Sequence, residues 1–564
     1  MTQATPDDLK ESPVDSKGLK KGALGLVAVI VVGVASTAPA YSLAASLGFI
    51  VADGAGGLLA GTKAPGVMLL AFVPMFFIAI AYQELNKAEP DCGTTFTWAS
   101  RAFGAITGWM GGWGIIAADI IVMANLAQIA GSYSFTFVGD LGVPGVAELS
   151  DNVLWSTVAG VLWIALMTWI CYRGIEISAR LQYVLLSIEV VILIFFAVFA
   201  LVRVYSGTAE PYSLTPQLDW FNPFSLDFGK VLAPALLTGI FLYWGWDSAV
   251  SVNEETSNPT KTPGRAAVIS TLLLLATYAV VTVASVAFAG VGTGGIGLGN
   301  EKNADDVFSA IAPELFGDSL IGHILQLLLA ASILTSASAS TQTTILPTAR
   351  TSLSMAVYKA LPAKFARIHP KYLTPTWSTI GMGVASIGFY LLFTLISTDL
   401  LGALIGSIGL MIAFYYGLTG FACTWFYRKT LVKSVRNFVL RGLLPTLGGV
   451  MLFAVFVYGL IQFATPDWLP GTIFGIGTVA VVGVAALLIG VVLMIVWWLI
   501  RPEFFQGKTL PRTRGDLVLA ETGARIPGFG LPDSGRQADV IAADRSNLPP
   551  GESAIPTDDV DPKA

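Results

Sequence analysis

The stretch GVASTAPAYS, from Gly33 to Ser42, decides the fold class of this chain of 564 residues. It lies inside an apolar run long enough to cross a bilayer, yet it contains Pro39, which has no N–H to give to a helix. A second stretch, GIFLYWGWD at 239–247, interrupts another apolar run with two glycines. Gly and Pro are common in ordinary membrane helices, so the matched pair is stronger evidence than either stretch alone. We therefore predict two broken membrane helices.

The composition of the chain supports a membrane protein. Hydrophobic residues make up 54% and charged residues 12% of the chain, and the mean hydropathy is +0.71. A soluble protein carries about 25% charged residues. The apolar runs lack the alternation of an outer-membrane barrel and are predicted to be helices, because lipid offers no partner to backbone polar groups. We predict about twelve spans, at 23–47, 65–83, 105–132, 154–173, 181–203, 231–252, 266–290, 319–343, 377–397, 400–426, 442–463 and 472–500.

The predicted spans divide the chain into segments. These are a solvated N-terminal tail at 1–21, five-helix halves at 22–203 and 230–427, two further helices at 440–500, and a disordered tail at 501–564. Spans one and six, which hold the interruptions, open the two halves, so we predict an inverted repeat with a binding site at mid-depth. Most Lys and Arg residues fall on one side. The positive-inside rule then predicts a multi-pass protein of the cell's inner (plasma) membrane with both termini cytoplasmic.

Residues suited to catalysis are sparse. Cys92, Cys171 and Cys423 are scattered, and the two histidines are His323 and His369. No G-x-x-x-x-G-K-[ST] phosphate-binding loop occurs in the sequence. We therefore predict no enzyme activity, no metal or cofactor site and no nucleic-acid partner, and the oligomeric state stays open.

Three stretches carry a resemblance to a known family. They are YQELNKAEPDCGTTFTW at 82–98 with RAFG at 101–104, GWDSA at 245–249 with EETSNP at 254–259, and RTSL at 350–353 with the Leu-Pro and Thr-Pro pairs at 361–362 and 374–375. In these motifs, spread over roughly 20–430, the chain resembles the amino acid-polyamine-organocation (APC) superfamily and, within it, the amino acid permeases. The resemblance implies an all-α membrane protein with a leucine-transporter-like five-plus-five inverted repeat. It also implies alternating access, with an amino acid bound between the interrupted helices one and six.

The resemblance also implies the substrate contacts. They are Ala35, Ser36, Thr37 and Ala38 in span one, mostly through backbone, and Gly239, Phe241, Trp244 and Gly245 in span six. Broken helices suit an amino acid, because exposed N–H groups attract its carboxylate and exposed carbonyls attract its ammonium group. The family usually has Gly-Ser/Thr-Gly where this chain has Thr37-Ala38-Pro39. Phe241 takes the place of an aromatic gate, or it packs against neighbouring helices as Tyr243 and Trp246 are expected to do.

Three carboxyl groups fall at membrane depth: Asp119, Glu189 and Asp247. A charge there costs about 2.5–3.5 kcal/mol on insertion scales. Each carboxyl group is therefore expected to be paired, protonated or functional. All three are candidates for proton coupling, and the resemblance puts Glu189 where proton-coupled relatives have a Lys. Glu189 alternatively contacts a cationic substrate group or binds sodium beside the hydroxyl-rich Thr335–Thr341, while Asp119 alternatively bonds a neighbouring helix.

Glu84, Glu254, Glu255 and Arg350 fall at the predicted cytoplasmic helix ends. They form an inner gate or are ordinary interfacial charges. The sequence as a whole favours a secondary transporter of amino acids, either a proton symporter or an exchanger. A polyamine or organic-cation carrier of the same fold and a sodium-coupled symporter are the alternatives, and the particular amino acid stays open.

Overall fold

The structure is a computed structural model that describes residues 17–52, 59–396, 399–465 and 472–512, with two short strands beyond them. Its α-helices are α1 (Leu26–Ser36), α2 (Pro39–Val51), α3 (Ala64–Ala88), α4 (Thr95–Phe103), α5 (Ala105–Asp140), α6 (Val153–Arg173), α7 (Ile175–Tyr205), α8 (Ala233–Leu242), α9 (Ser248–Ser251), α10 (Thr262–Ala289), α11 (Val307–Phe316), α12 (Leu320–Val357), α13 (Thr376–Ile396), α14 (Asp399–Tyr427), α15 (Val435–Asn437), α16 (Leu444–Ala464) and α17 (Thr478–Ile500).

Short 3-10 helices and π-helical turns join these elements. The 3-10 helices are Gly61–Lys63, Ala147–Leu149, Leu218–Phe221, Pro223–Ser225, Asn253–Glu255, Glu301–Asn303, Ala363–Ala366 and Leu431–Lys433, and the π-helical turns are Phe228–Leu232 and Phe438–Leu443. The strands β1 (Thr472–Ile473) and β2 (Ile476–Gly477) form an antiparallel hairpin just before α17.

Eleven stretches within the described residues are long and apolar enough to cross a membrane. They are Leu26–Val51, Gly61–Ala88, Ala105–Asp140, Val153–Arg173, Ile175–Tyr205, Thr262–Ala289, Leu320–Val357, Thr376–Leu395, Gly406–Tyr427, Val435–Ala464 and Thr478–Ile500. The predicted all-helical membrane fold is thus confirmed, while the twelve-helix inverted repeat stays a prediction. The span predicted at 231–252 is instead a shorter apolar helix, Phe228–Leu242.

The first predicted interruption lies between α1 and α2. Pro39 opens α2, where a first-turn residue needs no N–H, and Ala38 before it adopts a left-handed conformation with φ 47°. Two hydroxyls satisfy the carbonyls of this break: Thr37 donates to the Val34 carbonyl at 2.7 Å, and Ser42 donates to the Thr37 carbonyl at 2.6 Å. Pro39 and local side-chain hydrogen bonds therefore stop one helix and start another inside a single span.

The second predicted interruption follows α8, which ends at Leu242. Residues 243–247 form turns rather than a continuous helix, and α9 begins at Ser248. Within the turns Gly245 has φ +116°, and a Cβ there would lie 2.7 Å from the carbonyl oxygen of Ser36. Glycine at this position therefore allows the two helix breaks to touch.

The N-terminal tail predicted at 1–21 is not solvated along its full length. Leu19 is completely buried in a cluster with Cys92 and Leu353. The backbone at Leu24 is hydrogen-bonded to the segment after α9, donating to the Glu255 carbonyl at 3.1 Å and accepting from the N–H of Ser257 at 3.0 Å. The expectation is wrong for residues 17–21, because an apolar leucine two residues after Lys17 draws this segment into the core.

The predicted start of the C-terminal tail, at residue 501, is also too early in the chain. Phe504 and Leu510 are buried in a cluster with Phe96, Trp109 and Met355. Pro511 and the described residues after it belong to a separate unit, in which β3 (Leu517–Val518) pairs antiparallel with β4 (Arg525–Ile526). The rest of the predicted tail, at 513–516, 519–524 and 527–564, lies outside the described residues.

Candidate functional site

A small cavity lies between the two helix breaks. The breaks contribute small or hydroxyl-bearing residues and aromatic rings, α5 contributes two aliphatic side chains, and α12 contributes one serine. The lining residues are Ser36, Thr37, Ala38, Tyr41, Ser42, Val122, Leu126, Phe241, Trp244 and Ser340. The structure therefore brings together five of the eight predicted substrate contacts, Ser36, Thr37, Ala38, Phe241 and Trp244, around one space.

The other three predicted contacts do not line this cavity. Gly239 lies against α3, where a Cβ would come 2.9 Å from the Cβ of Ala71, and Gly245 lies against the Ser36 carbonyl. Ala35 is buried within the last turn of α1. Gly239 thus allows α8 to pack closely on Ala71 of α3, and Gly245 allows close packing on the backbone of the first break.

The sequence reasoning missed Tyr41, Ser42, Val122, Leu126 and Ser340. Ser340 belongs to the hydroxyl-rich segment of span eight, so its composition was a usable signal. Val122 and Leu126 are four residues apart on one face of α5, but nothing in the sequence distinguishes that face from the other apolar faces of the helix.

Hydroxyl groups join the first break to its neighbours. The Ser36 and Ser248 hydroxyls lie 2.7 Å apart, and Ser340 donates to the Ser36 carbonyl at 2.9 Å. The N–H groups of Thr37 and Ala38 donate to carbonyls of α1 at 3.1 and 3.2 Å. The backbone groups predicted to hold a substrate are therefore engaged within the protein in this conformation.

Glu189 of α7 lies at the beginning of α2. Its Oε1 accepts hydrogen bonds from the Ala40 N–H and the Ser336 hydroxyl, both at 2.7 Å, and the Ser336 oxygen in turn accepts from the Tyr41 N–H at 3.1 Å. Among the described residues, its Oε2 has no hydrogen-bond partner. A carboxyl group from another helix thus caps the positive end of α2.

Asp247 connects the second break to α14. Its two carboxylate oxygens accept hydrogen bonds from Tyr415 at 3.2 Å and from Tyr416 at 2.9 Å. The Tyr415 hydroxyl also accepts a hydrogen bond from the indole N–H of Trp244, which lines the cavity. Asp247 is therefore linked to the cavity wall through one tyrosine.

The other candidates at membrane depth have packing partners. Asp119 of α5 accepts a hydrogen bond from Thr348 of α12, which is the neighbouring-helix contact weighed as its alternative. Trp246 packs against Tyr82, with ring centroids 5.2 Å apart. Tyr243 packs against Tyr278 at 5.1 Å. These contacts fit the expectation that Tyr243 and Trp246 pack against neighbouring helices.

The four predicted inner-gate residues separate into three groups. Arg350 pairs with Glu255 through two hydrogen bonds of 2.9 and 3.0 Å, and both side chains are fully buried. Glu84 instead accepts from Lys87 at 2.5 Å and Arg441 at 2.7 Å. Glu84 thus belongs to a different cluster from Arg350.

Glu254 pairs with Lys17, a residue that the sequence placed in the tail. The Lys17 ammonium lies 2.5 Å from Glu254 and 2.8 Å from Asp91, and the Cys92 N–H donates to Glu254 at 2.8 Å. The hydroxyl of Tyr358 completes the group by donating to Asp91 at 2.9 Å. We call Lys17, Asp91, Cys92, Glu254 and Tyr358 the inner cluster.

The charges of the inner cluster hold each other in place. Burial opposes ionisation of Asp91, but the Lys17 ammonium and several hydrogen bonds outweigh burial and hold the pKa of Asp91 well below its usual value. Burial likewise disfavours the charged form of Lys17, but the negative charge of Asp91 and its neighbours raises the pKa of Lys17 above its usual value. Both groups therefore stay charged around neutral pH.

Comparison with known proteins assigns this architecture to a family. A family model described as amino acid permease matches residues 24–496. The chain belongs to the amino acid permease family. The match covers both helix breaks, the cavity and most of the inner cluster, and it confirms the family that the three sequence motifs indicated.

The permease is similar to several transport proteins. It is 24% identical over 376 residues to the branched-chain amino acid permease BcaP of Bacillus subtilis (strain 168), covering 65% of this chain and 74% of that protein. It is 28% identical over 236 residues to BcaP of Lactococcus lactis subsp. cremoris (strain MG1363), covering 39% and 48%. It is 24% identical over 368 residues to the human large neutral amino acids transporter small subunit 2, covering 64% and 63%. The permease thus spans less than two thirds of the length of two of these relatives.

Proposed function

We propose that this permease carries neutral amino acids across the cell membrane by alternating access. The observation that carries the proposal is the cavity between two broken helices in a member of the amino acid permease family. A site at mid-depth between helix ends can be reached from either side when the surrounding helices move. The three relatives described above are named as carriers of branched-chain or large neutral amino acids, which supports an uncharged amino acid as substrate without setting the size of its side chain.

The cavity lining favours a neutral amino acid over a polyamine. None of the described residues that line it is charged. A polyamine carries two or more positive charges and would need carboxylates to replace its lost hydration. A neutral amino acid has compensating charges of its own, which hydroxyls and helix ends can satisfy.

Uptake into proteoliposomes tests the proposal. We expect saturable uptake of labelled neutral amino acids, inhibition by unlabelled neutral amino acids, and counterflow when the vesicles are preloaded. Putrescine at the same concentrations should not compete. Putrescine uptake in preference to every neutral amino acid would overturn the proposed substrate class.

We further propose that Glu189 couples amino acid binding to a proton. An ionised Glu189 places a negative charge at the beginning of α2, next to the cavity, where a substrate carboxylate would seek the same positive helix end. Two anions at one helix end repel each other, so a proton on Glu189 favours substrate binding, and by reciprocity the substrate favours the proton. The groups that face Glu189 are the Ala40 N–H of α2, the Ser336 hydroxyl of α12 and the nearby Tyr278 of α10.

The variant Glu189→Gln tests this coupling with little structural change. The amide oxygen of Gln can accept the same two hydrogen bonds that Oε1 accepts, while the exchangeable charge is lost. We expect uptake to persist, but an imposed proton gradient should no longer drive accumulation and substrate affinity should lose its pH dependence. Proton-driven accumulation at the wild-type level, or accumulation driven by sodium instead, would reject the role of Glu189.

We also propose that the inner cluster and the Glu255–Arg350 pair form the cytoplasmic gate. These buried charge pairs join the N-terminal segment, the residues around Asp91, the end of the second break and α12. Closing them seals the cavity from the side on which the positive-inside rule places both termini. Reporter fusions at the two ends of the chain, assayed for cytoplasmic or external activity, check that orientation.

A further inference from the structure

Tyr415 and Tyr416 are adjacent on α14 and share one acceptor. Both hydroxyls donate to Asp247, and all three side chains are buried. Only the Tyr415 hydroxyl also accepts the indole N–H of Trp244. The two tyrosines are therefore a natural matched pair, in which one member contacts the cavity wall and the other does not.

The hydrogen bonds of Tyr415 have a fixed direction. While Asp247 is ionised its carboxylate only accepts, so Tyr415 donates its single hydroxyl hydrogen to Asp247. Its oxygen is then oriented to accept from Trp244, whose indole N–H only donates. The hydrogen bonds from Trp244 to Tyr415 and from Tyr415 to Asp247 thus hold the indole in position against α14.

Trp244 depends on this support because of where it lies. It belongs to the non-helical residues 243–247, where its own N–H bonds only to the nearby Phe241 carbonyl at 3.0 Å. Its side chain nevertheless lines the cavity, together with Phe241 and with Val122 and Leu126 of α5. The space left for a substrate side chain is therefore set by the orientation of one large ring.

We propose that Tyr415 is a specificity-positioning residue: it holds the Trp244 indole as the wall of the side-chain subsite, so that the permease prefers amino acids with small, uncharged side chains. The proposal rests on the proposed amino acid transport and adds the selection of substrate size. The uncharged lining and the indole held by its hydrogen bond to Tyr415 set this preference, because overfilling a packed pocket is unfavourable.

The test compares Tyr415→Phe with Tyr416→Phe in proteoliposomes. The measured quantity is the ratio of kcat/KM for leucine or phenylalanine to kcat/KM for alanine. In Tyr415→Phe the indole loses its hydrogen-bond acceptor, and we expect this ratio to rise about tenfold or more over wild type. One methylene group in a hydrophobic substrate pocket typically changes specificity by at least about this factor. Tyr416→Phe removes an equivalent bond to Asp247 without touching Trp244, and its ratio should match wild type.

Two further variants separate positioning from loss of fold. Trp244→Phe keeps an aromatic ring but removes the N–H, so its ratio should rise as in Tyr415→Phe. The double variant should show no added effect, because both substitutions break the same Trp244–Tyr415 hydrogen bond. Trp244→Ala should show the largest rise. Size-exclusion profiles and thermal unfolding in detergent show that each variant is folded.

The possible results decide between this inference and the proposed function. An equal change in Tyr415→Phe and Tyr416→Phe, or an unchanged ratio in Trp244→Ala, would overturn the inference while amino acid transport stands. A wild-type protein that transports leucine and phenylalanine better than alanine would also overturn it. A wild-type protein that transports no amino acid would reject the proposed function and, with it, this inference.

Discussion

Ala38 shows how a single residue shapes the first helix break. Its φ of 47° lies in the left-handed region, which costs an alanine about 1–2 kcal/mol relative to the right-handed form. The Cβ is responsible for this cost, and glycine lacks it. The break is therefore held by its surroundings, including the hydroxyls of Thr37 and Ser42, against a local preference for a continuous helix.

We predict that Ala38→Gly stabilises the permease by about 0.5–1 kcal/mol. Relief of the left-handed strain exceeds the extra entropy that glycine gives the unfolded chain. Thermal unfolding in detergent measures the effect, with Ala35→Gly as the control. Ala35 lies within α1, where glycine should instead cost about 1 kcal/mol. A lower unfolding temperature for Ala38→Gly would contradict the strain.

At Gly245 we predict that a substitution destabilises the permease, whereas Ala38→Gly stabilises it. Its φ of +116° disfavours any side chain, and a Cβ would lie 2.7 Å from the Ser36 oxygen. We expect Gly245→Ala to cost more than about 2 kcal/mol or to prevent folding, because the clash is with backbone. Gly292→Ala is the matched control, since a Cβ there meets no atom within 4 Å and its φ is not positive. A Gly245→Ala protein as stable as Gly292→Ala would show that the breaks can separate without cost.

At the scale of elements, the segment before α1 is held to the rest of the protein by the ion pairs of Lys17 with Asp91 and Glu254, which we call the latch. Lys17 supplies one positive charge to two buried carboxylates that come from different parts of the chain, Asp91 and Glu254. Removing one member of a buried charge pair typically costs about 3–5 kcal/mol, because the remaining charge is left uncompensated. Opening the cluster should expose Cys92, which is completely buried here.

We predict that Lys17→Met speeds alkylation of Cys92 by at least about tenfold. The experiment uses a background in which Cys171 and Cys423, the other two cysteines, are replaced by alanine, and a membrane-permeant maleimide. The control is Lys20→Met, whose lysine pairs with the partly exposed Glu176. Equal alkylation rates in Lys17→Met and Lys20→Met would show that the latch does not protect Cys92.

The latch should be insensitive to pH across the physiological range. The pKa of Asp91 is lowered by folding, so its contribution to stability is present above its usual pKa of about 3.9 and is lost only as the pH falls toward the folded value. The pKa of Lys17 is raised, so its contribution is present below about 10.4 and is lost as the pH rises through the folded value. We expect protection of Cys92, relative to Lys17→Met at the same pH, to be unchanged from about pH 5 to 9. Loss of protection at pH 6 would contradict this assignment of charges.

At the scale of the whole molecule, the packed unit extends beyond the last membrane helix. Phe504 and Leu510 are buried against residues of α4, α5 and α12. Burying one such side chain contributes about 1.5–3 kcal/mol. The residues that follow α17 are therefore part of the fold as far as Leu510.

We predict that ending the chain after Arg512 preserves the membrane unit, whereas ending it after Arg501 destabilises it by several kcal/mol. The first truncation keeps both Phe504 and Leu510, and the second removes them. Fluorescence-detected size exclusion after graded heating compares the two truncations with the full chain. Equal melting temperatures for all three proteins would show that the 502–510 segment is dispensable.

The sequence predicted what local chemistry determines and missed what tertiary packing determines. Apolar run length and Pro39 were sufficient to predict the spans and the first break, because both act within a few residues. Tyr415 was not predicted, because nothing local separates it from other aromatic residues of α14 until Asp247 and Trp244 are brought beside it. Lys17 was assigned to a tail because its neighbours are polar, and its two acidic partners are distant in sequence.

Tyr358 gives both ends of the packed unit a common point of contact. Its hydroxyl donates to Asp91, its ring lies 5.7 Å from the Lys17 ammonium, and its carbonyl accepts the hydroxyl of Thr509. A rearrangement of this one turn would therefore break the contacts that hold the beginning and the end of the unit near each other. A donor dye near residue 17 and an acceptor dye near residue 510 would then report inward opening as a change in energy transfer, with neither label in the transport path.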